Sequence, residues 1–420
     1  MSGQLTNAQG SARSGAPQAS RTYASLVLPL AFAVAMPLTF FEMGGAVRAT
    51  AWAWFLDLIL IGSLAVVEPL HPRAVRYLLP YLAFLGFAML SLAWTPDFAK
   101  GVLTLTQMTV PALAYLLAWR LGGRADEFTD RTARICRAAL GLVVVLALFG
   151  GAGVEVLAPA RRPVSISLAV LFAFICLGAR SWHWPVVAGI TVILVAGFTG
   201  ARTATVVLLL LVICSPALRV RAPWRIVAVG LVLVILVPLS NTEAFRNRFF
   251  FDPNASLADA ATLNESLNTS GRREVWPLIA EACSSTPVAG RGIGAAAGIA
   301  EAVGHFGEVH NDYLRTYCDT GLGGSILFWG FFLFAMVRCL RRARRAPSHR
   351  ELQAAAGLLV LAFFVYALTD NPMVYTAHFM VPLAIILGLS DARWHASQAA
   401  LRPPPPPLLL DIPAQPRSRR

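Results

Sequence analysis

The chain is built from apolar runs that recur almost from end to end, and that recurrence leaves few folds open. About twelve runs can be marked, at 24–41, 51–67, 77–94, 102–119, 138–151, 164–177, 184–198, 203–215, 224–239, 322–337, 354–368 and 375–389. Crossing a hydrocarbon core of ~30 Å takes about 20 mostly apolar residues as a helix. Several runs are shorter than that, which predicts tilted helices packed against one another. Inside lipid every backbone polar group must be satisfied within the protein, so packed helices are the structure expected of these runs. Composition agrees: mean hydropathy is +0.63, and 14% of residues are charged against roughly 25% in a soluble domain. The reading is an all-α, polytopic membrane protein of about twelve transmembrane helices.

Between the ninth and tenth runs lies one long segment too polar for lipid. The expected organisation is an N-terminal tail over 1–23, spans one to nine over 24–239, a large loop with short helices over 240–321, spans ten to twelve over 322–390, and a tail over 391–420. Residues 1–20 are rich in Ser, Gly, Ala and Gln, and 403–407 is a polyproline run, so both tails are expected to be disordered. The first run follows a polar stretch and lacks a small-residue cleavage site, so it is expected to stay as a span.

Arginine placement sets the orientation. Loops two, four, six, eight and ten hold Arg73 and Arg76; Arg120, Arg124, Arg131, Arg134 and Arg137; Arg180; Arg219, Arg221 and Arg225; and Arg338, Arg341, Arg342, Arg344 and Arg345. Short odd-numbered loops hold far fewer, such as Arg48 and Lys100. Basic short loops stay in the cytoplasm, so both termini are expected inside and the 240–321 loop outside. The formal net charge of +13 is therefore mostly a topology signal, and no nucleic-acid partner is expected. Lys100 is the lone lysine, so a choice of Arg over Lys carries little information here.

Cys176 and Cys214 lie in runs, and Cys136 and Cys339 at cytoplasmic ends, as small packing residues. Cys283 and Cys318 both fall in the outside loop, where a disulfide between them is one option. No C-x-x-C or His/Cys cluster is present, so neither a metal site nor a cofactor is expected.

Three arginines break the charge rule. Arg161 and Arg162 follow the fifth run, where snorkelling to headgroups competes evenly with ligand binding. Arg202 sits in the short 199–202 turn. A charge near membrane depth costs about 2.5–3.5 kcal/mol even on lenient scales, which points to an anionic ligand at Arg202. In the large loop, Gly290-Arg291-Gly292-Ile293-Gly294 lacks the Lys-Ser/Thr ending and strand context of a phosphate loop, which excludes a nucleotide-hydrolysing reading. Its glycines suit a tight turn that brings backbone close to the membrane surface. Further on, Glu308 to Tyr317 reads as a helix with His310, Tyr313, Leu314 and Tyr317 on one face.

These motifs resemble the O-antigen ligase and polymerase superfamily of bacterial inner-membrane glycosyltransferases. Thr199-Gly200-Ala201-Arg202 is similar to its small-residue-Arg signature, with Ala201 where Ser is common. Ser270-Gly271-Arg272, then Trp276, Pro287 and the 290–294 glycines, resembles its central loop. His310-Asn311 followed by Gly321 and Gly324 resembles the ligase pattern. Together the motifs cover about 198–324.

The resemblance implies transfer of a polysaccharide from undecaprenyl diphosphate to a lipid A–core acceptor on the periplasmic face of the inner membrane. The residue chemistry fits. A lipid diphosphate leaving group needs cationic clamps, which Arg202 and Arg272 would supply as charge-assisted, two-bond contacts. The acceptor hydroxyl needs a general base, a role that histidine suits as a residue type because its unperturbed pKa lies near 6.5; His310 is the candidate, oriented by Asn311 or a carboxylate such as Asp312. Arg161, Arg162, Arg291, Asn311, Tyr313 and Arg315 are the candidate substrate-binding residues. No carboxylate pair at recognisable spacing argues for retention, so inversion is expected. The competing readings are an O-antigen polymerase, a protein O-oligosaccharyltransferase, and, from another class, a transporter of an anionic lipid or metabolite, whose repeated halves the chain does not show.

Overall fold

The computed structural model describes residues 49–67, 71–151, 161–179, 181–198, 201–216, 271–304, 308–345 and 349–400, with isolated positions between 226 and 234. Among them the secondary structure is all helical. The helices are α1 (Ala49–Val67), α2 (Pro72–Ser91), α3 (Phe98–Arg120), α4 (Ala125–Gly151), α5 (Arg161–Leu177), α6 (His183–Phe198), α7 (Arg202–Cys214), α8 (Arg272–Ser284), α9 (Ala295–Gly304), α10 (Asp312–Arg345), α11 (Arg350–Thr369) and α12 (Val381–Ala400).

Among the described residues four helical segments are long and apolar enough to cross a membrane: Pro72–Trp94, Phe98–Arg120, Asp312–Arg345 and Arg350–Thr369. Shorter apolar helices over Trp54–Ser63, Val164–Leu177, His183–Gly197 and Arg202–Cys214 stand beside them. The expected spans at 24–41 and most of 224–239, like residues 240–270 of the large loop and both tails, lie outside the described residues. Helices also run further than the apolar runs foretell. The 138–151 run is only the second half of α4, and 322–337 is the middle of α10. Arginine and glutamate are good helix formers, so helices continue into solvated flanks that hydropathy ignores.

Packing explains the roles of these helices. Leu79, Met89 and Leu90 on α2, and Ile326, Leu333 and Phe334 on α10, are exposed, as suits helices with one face towards lipid. In contrast, residues 376–392, from a π-helical turn into α12, are buried without interruption. Helix α3 packs along α12, so closely that a Cβ on Gly388 would lie 2.5 Å from the Tyr115 carbonyl oxygen. Shielded in this way, α12 can carry a charge. Asp391, fully buried, accepts hydrogen bonds from the Tyr115 hydroxyl at 2.6 Å, from Arg338 at 2.6 Å and from Arg342. Arg338 also lies over the rings of Tyr77 (4.8 Å) and Phe334 (5.1 Å). This cluster ties α3, α10 and α12 together, and losing one member of such a buried pair typically costs about 3–5 kcal/mol.

Helix direction separates two chemistries. At one end, Arg393 pairs with Asp126 at 2.7 Å, His395 meets the Tyr77 hydroxyl at 3.0 Å, and Gly122 presses on Ala392. The basic segments of α2, α3, α4 and α10 gather there. At the other end, Thr95 donates to the Ile293 carbonyl (2.8 Å), the Thr203 and Thr369 hydroxyls meet at 2.6 Å, and Tyr366 donates to the Ser165 carbonyl (3.1 Å). His310, Arg202 and Arg272 belong to that second end.

Candidate active site

The site is organised by a break in α10. Gly321 has φ 61° and ψ −165°, a conformation open to glycine at little cost. The break frees backbone groups that a neighbouring segment satisfies. Arg291 N–H donates to the Cys318 carbonyl (2.7 Å) and Gly292 N–H to Asp319 (3.0 Å). In return Leu322 N–H donates to Pro287 (2.8 Å) and Gly323 N–H to Val288 (3.2 Å). This close approach needs bare backbone, because a Cβ on Gly290 (φ 73°) would lie 2.5 Å from Gly321 N. Gly290 therefore clasps the broken helix, while Gly292 and Gly294 press on Thr95 and Gly101 at the start of α3. Asp319 completes the clasp by accepting from Ala296 N–H at 2.8 Å, where the positive end of α9 favours a carboxylate.

A second connection brings α8 to the same place. Cys283 and Cys318 are joined by a disulfide, so that option in the sequence is realised. One turn beyond Arg272, the Trp276 indole N–H donates to the Val309 carbonyl at 2.8 Å, beside His310. Arg272 is half-buried and starts α8 directly after Gly271, whose φ is 73°.

His310 is not on a helical face, contrary to the expected spacing. Its φ is 54°, and the Asn311 side-chain oxygen accepts from Leu314 N–H at 3.0 Å. That cap starts α10 at Asp312. His310 is thus held in the turn ahead of the helix, buried at 8% exposure. A left-handed non-glycine residue persists only where surroundings over-determine it, and here they do. The His310 Nδ1 lies 3.3 Å from Asn371 Oδ1. Asp370 Oδ1 accepts from Asn371 N–H at 3.0 Å, and Asp312 Oδ2 accepts from Met373 N–H at 2.9 Å. The loop between α11 and α12 is therefore the third wall. Thr369, just before it, meets Thr203, the neighbour of Arg202.

Three segments far apart in sequence so bring Arg202, Arg272 and His310 to one end of the bundle. The other candidate residues take varied positions. Arg315 is buried and paired with Glu308 at 3.1 Å, with Asp319 at 3.9 Å. Tyr313 stacks on Trp329 with centroids 4.1 Å apart, and its hydroxyl donates to the Phe364 carbonyl. Arg291 is exposed and donates to the Ala282 carbonyl at 2.5 Å. Arg161 and Arg162 open α5. The orienting contact expected from Asn311 or Asp312 comes instead from Asn371, while those two cap the helix and fix the loop. Sequence did hold a signal for Asn371: Asp370-Asn371-Pro372 is a polar turn between two apolar runs, on the side of the large loop. Among the described residues no three of His, Cys, Asp or Glu gather as metal ligands.

Apolar helices around a polar end stocked with arginine and histidine define a helical membrane protein with a candidate site at that end. Residues 186–329 match the family model described as O-antigen ligase. The match contains Arg202, Arg272 and His310 but ends before Asn371. It supports a glycosyltransferase-like enzyme of the ligase/polymerase type, in keeping with a bacterial inner membrane. No curated protein matches the chain.

Proposed function

We propose that the protein transfers O-antigen polysaccharide from undecaprenyl diphosphate to a lipid A–core acceptor, with the His310 end facing the periplasm. The observation that carries this reading is the junction of His310, Asn371 and the Arg202 and Arg272 helix starts at the end opposite the arginine-rich one. An amide oxygen only accepts, so the ring nitrogen facing Asn371 Oδ1 carries the proton. The other ring nitrogen, Nε2, then keeps its lone pair and takes the proton of the acceptor hydroxyl. The acceptor oxygen bonds to the anomeric carbon as the bond from that carbon to the phosphate oxygen breaks. Undecaprenyl diphosphate departs with the electron pair, stabilised by Arg202 and Arg272, and the anomeric centre inverts. The donor is already activated and guanidinium groups supply the positive charge, so no nucleotide or divalent metal is required.

The test is single-turnover transfer by purified protein with lipid-linked donor and lipid A–core acceptor. His310→Ala should slow transfer roughly 10²–10⁴-fold with donor binding kept. Arg202→Ala or Arg272→Ala should weaken donor binding as well as rate, since the diphosphate is charged in ground and transition states alike. Lysine at either position should rescue only in part. Normal transfer by His310→Ala, or donor binding untouched in both Arg variants, would overturn the reading. Turnover lost in EDTA and restored by magnesium would overturn its metal independence. Product formed from donor alone would assign the polymerase reaction instead.

A further inference from the structure

At the arginine-rich end, away from the candidate active site, a cleft of about 380 Å³ is lined by Asp130, Arg134 and Arg137 of α4, Gly178 and Ser181 after α5, and Trp184 of α6. Its floor is stiff, because a Cβ on Gly178 would lie 2.8 Å from the Thr129 carbonyl oxygen and against Ala133. The Arg137 guanidinium sits 4.9 Å from the Trp184 ring centroid, which orders it without neutralising it. Arg134 is exposed. Helix α6 begins at His183, whose ring meets the Ser181 hydroxyl at 2.9 Å, so the positive end of a 16-residue helix also faces the cleft. Among the lining residues guanidinium groups outnumber the carboxylate two to one. The cleft is large enough for a small polar headgroup and chemically suited to a phosphodiester.

What lies below the cleft chooses between a free anion and a lipid. Trp182 and Trp184 are both exposed, at 58% and 42%, as tryptophans are at headgroup level. From Trp184, exposed Val187, Ile190 and Leu194 run down one face of α6, and exposed Leu142, Val145 and Leu148 run down neighbouring α4. Two apolar stripes thus descend from a doubly basic cleft.

We propose that this cleft binds the phosphate of an anionic glycerophospholipid from the leaflet at the arginine-rich end, with its acyl chains along the exposed stripes of α4 and α6. The experiment is native mass spectrometry of the full chain in detergent, titrated with phosphatidylglycerol or with phosphatidylcholine of the same chains. The parent should retain phosphatidylglycerol preferentially. Arg134→Gln and Arg137→Gln should each weaken retention roughly fivefold, and the pair together about thirtyfold. Millimolar inorganic phosphate should not displace the lipid. Equal retention of the two lipids, or an Arg134→Gln/Arg137→Gln protein that binds like the parent, would overturn the proposal. Full displacement by inorganic phosphate would also overturn it, and would leave a simple anion site. Should the double variant fail to fold, the decision rests on exposed Arg134: an unchanged Arg134→Gln titration is then the overturning result.

Discussion

The indole N–H of Trp276 donates to the carbonyl of Val309 at 2.8 Å, and this bond joins the helix that begins with Arg272 to the turn that holds His310. Neither residue is proposed to touch substrate. Trp276→Phe keeps an aromatic side chain, smaller than the indole, and removes the donor. Loss of such a bond costs about 1 kcal/mol in stability, so the variant should fold with a slightly lower melting midpoint. Transfer should fall by more than stability alone explains, because Arg272 and His310 lose their shared reference. Parental transfer rates in Trp276→Phe would show that the link is only structural.

The glycine clasp can be tested against an internal control. A Cβ at Gly290 meets the Gly321 backbone nitrogen, whereas one at Gly298, inside α9, meets nothing within 4 Å. Gly290→Ala should lower the yield of folded protein sharply, since φ 73° is strained for alanine as well. Gly298→Ala should be neutral or up to about 1 kcal/mol stabilising, from helix propensity. Detergent-phase thermal unfolding of the two proteins side by side reads the difference.

The disulfide closes a sequence separation of 35 residues. By loop-closure entropy a bond of that span is worth about 4 kcal/mol. Cys283→Ser/Cys318→Ser should therefore lose thermal stability and, because the bond ties α8, which begins at Arg272, to α10 just after His310, transfer activity too. Reductant should reproduce the loss in the parent. A parent indifferent to reductant would contradict a stabilising role for the bond.

A pH effect is expected at the opposite end. His395 is held below the usual imidazole range by desolvation first, then by Arg342 and Arg73. His71 is lowered by desolvation, then by Arg73 and Arg120. The fold thus prefers both rings neutral, while the unfolded chain takes up protons near pH 6.5. Their contribution is complete above that pH and declines as pH falls towards the lowered folded values. The melting midpoint should drop between pH 7.5 and 5.5, and drop less in His71→Gln/His395→Gln. Identical pH slopes for parent and variant would refute the assignment.

Much of the candidate site was legible in the residues themselves. Arg202, Arg272 and His310 stood out because charged and titratable groups are rare in a chain this apolar; Arg272 follows Gly271, and Arg202 sits at the edge of an apolar run. The spacing that placed His310 on a helix misled, since the Asn311 cap two residues before Tyr313 decides where α10 starts. Asn371 and Asp319 were passed over for another reason. Their partners, His310 and Ala296, lie 61 and 23 residues away, and no local pattern encodes such pairing.

The sequence by itself determined the class of structure and the separation of charge along it. Apolar runs must form helices, because lipid offers backbone groups no other partner, and arginines crowd the loops where staying in water costs least. Tertiary structure alone decided which polar groups meet. Inside a tightly packed bundle a buried polar group must find a partner or be destabilising. The partner it finds is set by helix packing, as when a break at Gly321 admits the 287–292 backbone, or when the loop after α11 sets Asn371 against His310.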